Sequence, residues 1–385
     1  MIVAKLIATL ILPALLALGG CDDNDDNNGN AAAPSATPPV TLANLNILHG
    51  FDCDPPAPAD GDQCRVSERV ALLTEHLIAE GCPDLVTLQE VVNKDFVVNG
   101  SAQQVGPLES IVTLMEAQLP KLAADCGFTY ELIYEPLRLV TINEQDEELI
   151  LSRYPVLETG TRILYGPLYN ETTGLLIFAR HVLYTRIDHP SGEVDVYTTH
   201  LASGSDFATS ICAPDSCPME CNNSDTVRAC QTEQLALYVE QTRGANNLAL
   251  ISGDFNALPG SSEYLSMTNR GWLDSHLAAA QPECDSTTGI GCTSGRKSNA
   301  QDIENPALNV DARIDYIFVA LPQENSTCVA SLESGRRGSY AITDAGLFAA
   351  EPNPFAATCG SPPDAVCWTS DHSGNQARLT CGTKP

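Results

Sequence analysis

Short apolar runs recur along this chain, and several stop abruptly at a side chain able to do chemistry. Leu248-Ala249-Leu250-Ile251-Ser252 reads as a buried strand, and Gly253, Asp254, Phe255 and Asn256 follow at once. Such an ending usually marks a turn, because Gly, Asp and Asn are the commonest turn residues. It would equally hold a carboxylate and a carboxamide rigidly at the rim of a sheet. Residues 41–48 alternate and predict a strand with Asn46 near its end. Ser67 is the expected cap of a helix running through Val70, Leu73, Leu77 and Ile78 to Gly81. A strand over 85–90 then ends on Glu90, and a second helix is expected over about 108–122. Strand-like runs cover 128–134, 137–142, 148–151, 175–187 and 193–199, the last leading into Thr199-His200-Leu201. A helix over 231–242 precedes the 248–252 strand. Residues 313–319 form a β-rich run with Asp315 inside it, and Asp371 and His372 precede a last short strand. Mixed strands with interspersed helices, without repeat or heptad, predict one large α/β unit. Two polar, cysteine-bearing stretches, 203–230 and 280–312, interrupt it.

The beginning of the chain follows a different pattern. Lys5 precedes an apolar run from Leu6 to Leu18, which is too short to span a bilayer comfortably and has signal-peptide proportions. Leu18-Gly19-Gly20-Cys21 resembles the bacterial lipobox, in which the Cys is lipidated and becomes the mature N-terminus. An ordinary cleaved signal peptide of a secreted protein is the alternative. Residues 21–39 are Asp/Asn-rich and then Ala/Pro/Ser/Thr-rich, without apolar periodicity, and are expected to be a flexible tether. The expected division is therefore a leader over 1–20, a tether over 21–39 and a folded domain over 40–385.

Charge and cysteine usage narrow the picture further. The chain has 20 basic and 49 acidic residues, a formal charge of -29. Such a surface repels phosphate polymers unless cations intervene, which excludes a metal-free binder gripping nucleic acid through Arg and Lys. The zinc spacings Cys-x-x-Cys and His-x-x-x-His are absent from the 15-cysteine sequence. Cys53/Cys64, Cys284/Cys292 and Cys359/Cys367 instead bracket polar loops, as disulfides in an oxidising compartment do. Setting Cys21 aside leaves 14 cysteines, an even number.

Asn46, Glu90, His200, Asp254, Asn256, Asp315, Asp371 and His372 all sit in or beside apolar strands. One polar strand ending is unremarkable; so many suggest strand ends converging on one edge of a sheet. Together they suit metal-assisted hydrolysis of a phosphate ester. A hard cation takes one or two carboxylates plus waters and phosphate oxygens, and Glu90 is the best ligand candidate, helped by Asn46 and Asp371. The cation would act as Lewis acid on the phosphoryl oxygens. A histidine held by a carboxylate takes a proton from water near neutral pH, which His372 with Asp315 would do. His200 would serve the leaving-group side, and Asn256 would donate to a phosphate oxygen without adding charge. His49, His76, His181, His189 and His276 match no motif and are expected to be surface or structural, as are Trp272 and Trp368.

The ordered set of short motifs resembles the endonuclease/exonuclease/phosphatase superfamily, which includes deoxyribonuclease I. The motifs are Asn44-Leu45-Asn46, Leu88-Gln89-Glu90, Ile150-Leu151-Ser152-Arg153-Tyr154-Pro155, Thr199-His200-Leu201, Gly253-Asp254-Phe255-Asn256, Arg313-Ile314-Asp315-Tyr316-Ile317 and Ser370-Asp371-His372-Ser373. The resemblance implies a four-layer α/β/β/α sandwich of two packed mixed β-sheets. It implies that Glu90 binds the divalent metal with Asn46 in support, and that His372 is a general base oriented by Asp315. His200 would bind phosphate or protonate the leaving group, Asp254 would orient or deprotonate the attacking water, and Asn256 would contact the phosphate. Members of the superfamily differ on which group deprotonates the water, so the roles of Asp254 and His372 stay interchangeable. Arg153 is a candidate substrate contact, and Glu144, Glu147 and Glu148 are candidates for the acid that orients His200 in some members. The expected cofactor is Mg²⁺, with Mn²⁺ or Ca²⁺ as alternatives.

The expected function is that of a monomeric, membrane-tethered, extracytoplasmic phosphoesterase acting on phosphodiesters, foremost extracellular nucleic acid. A sphingomyelinase or phospholipase C-like activity is the alternative substrate class, and a non-catalytic surface binding protein on the same fold is the alternative of another kind. Cys21→Ser is expected to move the protein from the membrane to the soluble fraction. Unchanged fractionation would overturn the lipobox reading.

Overall fold

The computed structural model describes residues 36–48, 65–92, 110–136, 146–166, 169–170, 175–176, 180–204, 218–221, 224–296, 303–307, 309–322, 328–331, 336–360 and 363–383. The leader, most of the tether, Cys21, the Cys53/Cys64 pair, His49, the 137–142 strand, Glu144 and most of the 203–217 loop lie outside them. The described residues all fall within one compact unit, Pro34–Pro385.

The strands in chain order are β1 (Val40–Asn46), β2 (Leu85–Val92), β3 (Glu131–Ile133), β4 (Asp146–Ser152), β5 (Val156–Ile163), β6 (Tyr169–Asn170), β7 (Leu175–Leu176) and β8 (His181–Ile187). They continue with β9 (Val194–His200), β10 (Leu248–Asp254), β11 (Leu273–Asp274), β12 (Asp315–Ala320), β13 (Cys328–Ser331), β14 (Arg336–Phe348) and β15 (Gly374–Thr383). The helices are α1 (Val66–Ala79), α2 (Ile111–Cys126), α3 (Val227–Thr242), α4 (Ser262–Thr268) and α5 (Ser275–Ala278).

Among the described residues, one sheet has the order β13-β14-β15-β1-β2-β4-β3 and the second β11-β12-β10-β9-β8-β5, with a small β6-β7 ribbon besides. Both large sheets are mixed: β1–β2 and β9–β10 are parallel, and the other pairings are antiparallel. Three large apolar clusters separate the layers. One joins Val70, Leu73 and Leu77 of α1 and Met115 and Leu122 of α2 to Leu45, Val86 and Leu88. One lies between the sheets, with Leu42, Leu85 and Ile150 against Leu183, Val196, Leu250 and Ile317. The last joins Leu235 and Val239 of α3 and Tyr264 and Met267 of α4 to Ile251, Phe255 and Phe318. The fold is therefore the expected α/β/β/α sandwich. Strands buried on both faces read as continuous apolar runs, which is why β10 shows no polar alternation.

Period-two alternation decides what each strand carries into the space between the sheets. Leu248 and Leu250 point inward, Ala249 and Ile251 toward the helices. The next inward positions of β10 are Ser252 and Asp254. By the same count β1 brings Asn44 and Asn46, β2 brings Thr87 and Gln89, and β9 brings Thr198 and His200. The inter-sheet layer thus changes from apolar to polar toward one edge. There Thr87 Oγ1 meets Ser252 Oγ at 2.9 Å, and Gln89 Nε2 donates to Thr198 Oγ1 at 2.8 Å and to Asn44 Oδ1 at 2.9 Å.

Local expectations needed adjustment. Ser67 lies inside α1; Arg65 stands at the cap position in a left-handed conformation (φ 50°) with no side-chain cap. Its guanidinium instead donates to Gly360 O at 2.9 Å and Glu304 Oε1 at 3.3 Å. Helix α3 starts earlier than the apolar pattern suggested, because Thr226 Oγ1 caps Ala229 N at 3.0 Å. Strand β5 is largely exposed, and in β14 Gly, Ser, Thr and Asp break up the apolar positions, so neither shows a buried-strand pattern. Ahead of β1, Thr37 Oγ1 donates to Val329 O at 2.6 Å. Among the described residues disulfides join Cys82–Cys126, Cys221–Cys230, Cys284–Cys292, Cys328–Cys381 and Cys359–Cys367, which suits an oxidising, extracytoplasmic environment. No helix among the described residues is long and apolar enough to cross a membrane.

Gly253 permits a close approach of main chain to main chain. A Cβ there would stand 2.0 Å from Thr199 O, at a φ of 145°. Gly253→Ala is expected to cost about 2–5 kcal/mol by strain and overpacking, against about 1 kcal/mol for Gly260→Ala, where a Cβ meets nothing within 4 Å. Urea unfolding midpoints of the two variants measure the difference; equal shifts would refute the packing argument.

Candidate active site

Asp254, at the end of β10, is the centre of the polar edge. Its Oδ1 accepts from Asn256 N at 2.8 Å and its Oδ2 from Asn46 Nδ2 at 3.1 Å. Asp254 Oδ2 also lies 3.4 Å from His200 Nε2 and 3.8 Å from His372 Nε2. One carboxylate therefore links residues from four separate stretches of chain.

Glu90 reaches this edge through a backbone irregularity. Strict alternation would send it toward the helices with Val86 and Leu88. The β2–β4 register shifts between Leu88 and Val91, and Glu90 has a φ of 60°. Bulges re-aim side chains in this way. Glu90 Oε1 then accepts from Asn46 Nδ2 at 2.9 Å. The Glu90 side chain is 13% exposed, against 2% for Asp254. Leu48 and Asn256 also have positive φ, and such strain concentrates where surrounding structure over-determines the backbone.

His372 and Asp315 form the expected pair, with Nδ1 to Oδ2 at 2.9 Å. Asp315 is fully buried, and desolvation pushes its carboxyl up to about 6, against the downward pull of His372. On His372, burial acts downward, but Asp315, Asp371 and Asp254 outweigh it and raise the imidazole well above its ordinary value. The carboxylates around the ring thus favour its charged form. Asp371 accepts from Ser370 Oγ at 3.1 Å and contributes through its field.

His200 is held from three sides. Its main-chain N donates to Glu148 Oε1 at 2.9 Å, so Glu148 is the acid beside it. Its Nδ1 lies 2.8 Å from Arg180 Nη1. A guanidinium only donates, so Nδ1 is the acceptor and Nε2 carries the proton toward Asp254. Asn256 Nδ2 lies 3.0 Å from His200 Nε2 and donates to Leu201 O at 3.0 Å.

Two donor sets could hold a metal. Donor atoms of Asp254, Asp315 and His372 lie within 4.8 Å of one another. There, however, His372 and Asp315 bond each other, which makes a proton relay more than a chelate. The two carboxylates of Glu90 and Asp254, bridged by Asn46 Nδ2, suit a hard divalent cation better, and Glu90 is the more open of the two.

Arg153 is not brought to this edge. Ser152 pairs with Leu85 at the start of β2, roughly 17 Å from Glu90 at strand rise. Arg153 bonds Asp84 Oδ1 at 3.2 Å and lies 4.2 Å over the Phe128 ring, tying β4 to β2. Sequence reasoning also missed Arg180, His181 and Arg69. His181, expected to be merely structural, pairs through Nε2 with Glu148. The fully buried Arg69 donates to Ile47 O, to Leu48 O at 3.0 Å and to Thr369 O at 3.1 Å. It joins the end of β1 to the segment bearing His372. Its one available signal was a charge on the apolar stripe of α1, between Val66 and Val70.

Several solved structures share this fold. A Bacteroides thetaiotaomicron endonuclease/exonuclease/phosphatase family protein aligns over 91% of this chain and 100% of its own at 14% identity, TM-score 0.52. D. rerio TDP2 complexed with single-strand DNA product aligns over 89% and 99% at 15% identity, TM-score 0.51. The Bacteroides vulgatus endonuclease/exonuclease/phosphatase aligns over 89% and 99% at 17% identity, TM-score 0.51. None of the curated proteins compared matches the sequence. The model of the Endonuclease/Exonuclease/phosphatase family matches residues 43–372, a span that holds the whole polar edge from Asn46 to His372, and the chain belongs to that family.

Proposed function

We propose that this chain is a divalent-metal-dependent phosphoesterase that hydrolyses phosphodiester bonds, foremost those of nucleic acid outside the cytoplasm. The reading adds a lipid tether at Cys21 and a monomeric enzyme. The observation that carries it is the single carboxylate of Asp254, flanked by the His372–Asp315 pair on one side and by Asn46, Glu90 and His200 on the other.

The residues have separable work. Glu90, with Asn46 and Asp254, would hold Mg²⁺, or Mn²⁺ or Ca²⁺, whose chemistry is to withdraw charge from the phosphoryl and leaving oxygens. Of the two candidate proton acceptors, His372 stands among carboxylates that favour its charged form, and in this reading Asp254 takes the proton of the attacking water. Asp315 keeps the imidazolium of His372 charged and aimed, and His372 donates to a phosphoryl oxygen. His200, with its proton on Nε2, donates to a second phosphoryl oxygen, and Asn256 lies beside that ring, its Nδ2 donating to Leu201 O. As the water oxygen bonds to phosphorus, the bond to the leaving oxygen breaks, and that oxygen takes a proton from solvent.

The test is an activity panel on plasmid DNA, RNA, sphingomyelin and bis-p-nitrophenyl phosphate in Mg²⁺, Mn²⁺ and Ca²⁺. Activity should vanish with EDTA and return with the cation. Hydrolysis of sphingomyelin alone would move the substrate to lipid, and no hydrolysis at all would revive a binding protein. His372→Ala should lower kcat by roughly 10²–10⁴-fold; an undiminished rate would sink the mechanism. Glu90→Gln should abolish Mg²⁺ binding in calorimetry while leaving the fold intact. Unaltered binding would remove Glu90 from the metal site.

A further inference from the structure

Both members of the His372–Asp315 pair are held by a segment belonging to neither of their strands. Thr293 Oγ1 accepts from the main-chain N of Ile314 at 3.1 Å and of Asp315 at 3.2 Å. The carbonyl of Thr293 accepts from Ser373 N at 2.6 Å, and its own N donates to Ala312 O at 2.8 Å. Three residues on, Arg296 donates from Nη1 to Ser370 O at 3.2 Å and from Nη2 to Ser373 Oγ at 2.8 Å. Its guanidinium lies 3.7 Å from the centre of the Trp368 ring. Thr293 and Arg296 are both buried. One short run of chain therefore grips Asp315 from one side and brackets His372 at Ser370 and Ser373 on the other.

The segment is itself fixed upstream. Cys292 is bonded to Cys284. Beside Cys284, Glu283 makes a two-pronged pair with Arg313, with both contacts at 2.6 Å, and Arg313 also donates to Asp274 Oδ2 at 2.8 Å. The polar stretch is tied to β12 just before Asp315, stapled across its loop, and tied again to the segment that carries His372. A stretch that reads in sequence as a polar interruption has the contacts of a brace.

We propose that Thr293 and Arg296 are positioning residues that set the His372 Nδ1 to Asp315 Oδ2 contact, from an insertion whose shape the Cys284–Cys292 bond holds. The catalytic consequence rests on the phosphoesterase reading; the structural one does not. Apolar packing around His372 would not choose one ring orientation, because it is non-directional. The hydrogen bonds from Thr293 and Arg296 do choose, since each is lost if either loop moves by an ångström. Misplacement on that scale can cost about 10²-fold in rate.

Thr293→Val removes the hydroxyl and keeps the shape, while Thr293→Ser keeps the hydroxyl. The first readout is the downfield proton of His372 Nδ1 in the NMR spectrum, assigned by its loss in His372→Gln. The second is kcat and KM on bis-p-nitrophenyl phosphate. Thr293→Val should shift or broaden the resonance and lower kcat by roughly 10- to 100-fold with KM nearly unchanged. Thr293→Ser should restore both. An unchanged resonance and kcat in folded Thr293→Val, or a Thr293→Ser variant as impaired as Thr293→Val, would overturn the proposal. If Thr293→Val does not fold, Arg296→Lys, which keeps the charge and loses the forked contact, is read by the same criteria. Should His372→Gln prove fully active, the mechanism falls, and the resonance alone still decides whether the brace exists.

Discussion

The two sheets of this protein are held in register by hydrogen bonds that cross the space between them at one edge. Apolar contact draws the sheets together but does not fix how they slide. Thr87 to Ser252 and Gln89 to Thr198 are directional, buried bonds, and they lie one step behind the reactive groups. Each is worth about 1 kcal/mol net, but leaving such a group unsatisfied costs about 1–3 kcal/mol. A slip of one sheet over the other would strand several at once. Asn46 and Asp254 can meet from different sheets because the layer behind them cannot shift.

The backbone conformations at the site follow from the same constraint. Asn46, His200 and Asp254 arrive on inward positions by ordinary alternation. Glu90 would arrive on the wrong face, and a bulge with a left-handed residue turns it back. A residue in that conformation costs about 1–3 kcal/mol, which the adjoining strands must offset. Glu90, more open than Asp254, is thus also the one whose placement is the less favourable in isolation.

Much of this edge was legible in the sequence, because a polar residue two positions after an inward apolar one stays on the inward face. Leu248, Leu250, Ser252 and Asp254 spell this out along β10. Strand direction was not legible. Parallel strands β1, β2, β9 and β10 bring their C-terminal ends to the site, whereas the antiparallel β4 and β12 bring their beginnings. Hence Asp315 opens β12 and Glu148 lies near the start of β4, while Arg153, just past its end, is carried to the far side. Contacts over long separations left little local trace. Arg69 bonds the two segments around the site from inside a helix, and Arg180 reaches His200 from the edge of β8. Thr293 and Arg296 hide in a polar stretch whose composition says only that it is not a strand.

Gly253 has a consequence for how this chain can vary over evolutionary time. The strands bearing Asp254 and His200 lie so close that a methyl group at position 253 would collide with the Thr199 carbonyl. The spacing of the two side chains is therefore set by main chain against main chain. Core side chains around β9 and β10 can drift in size and shape while that spacing holds, so the lineage can reshape its loops and its substrate without renegotiating the distance at which the chemistry is done.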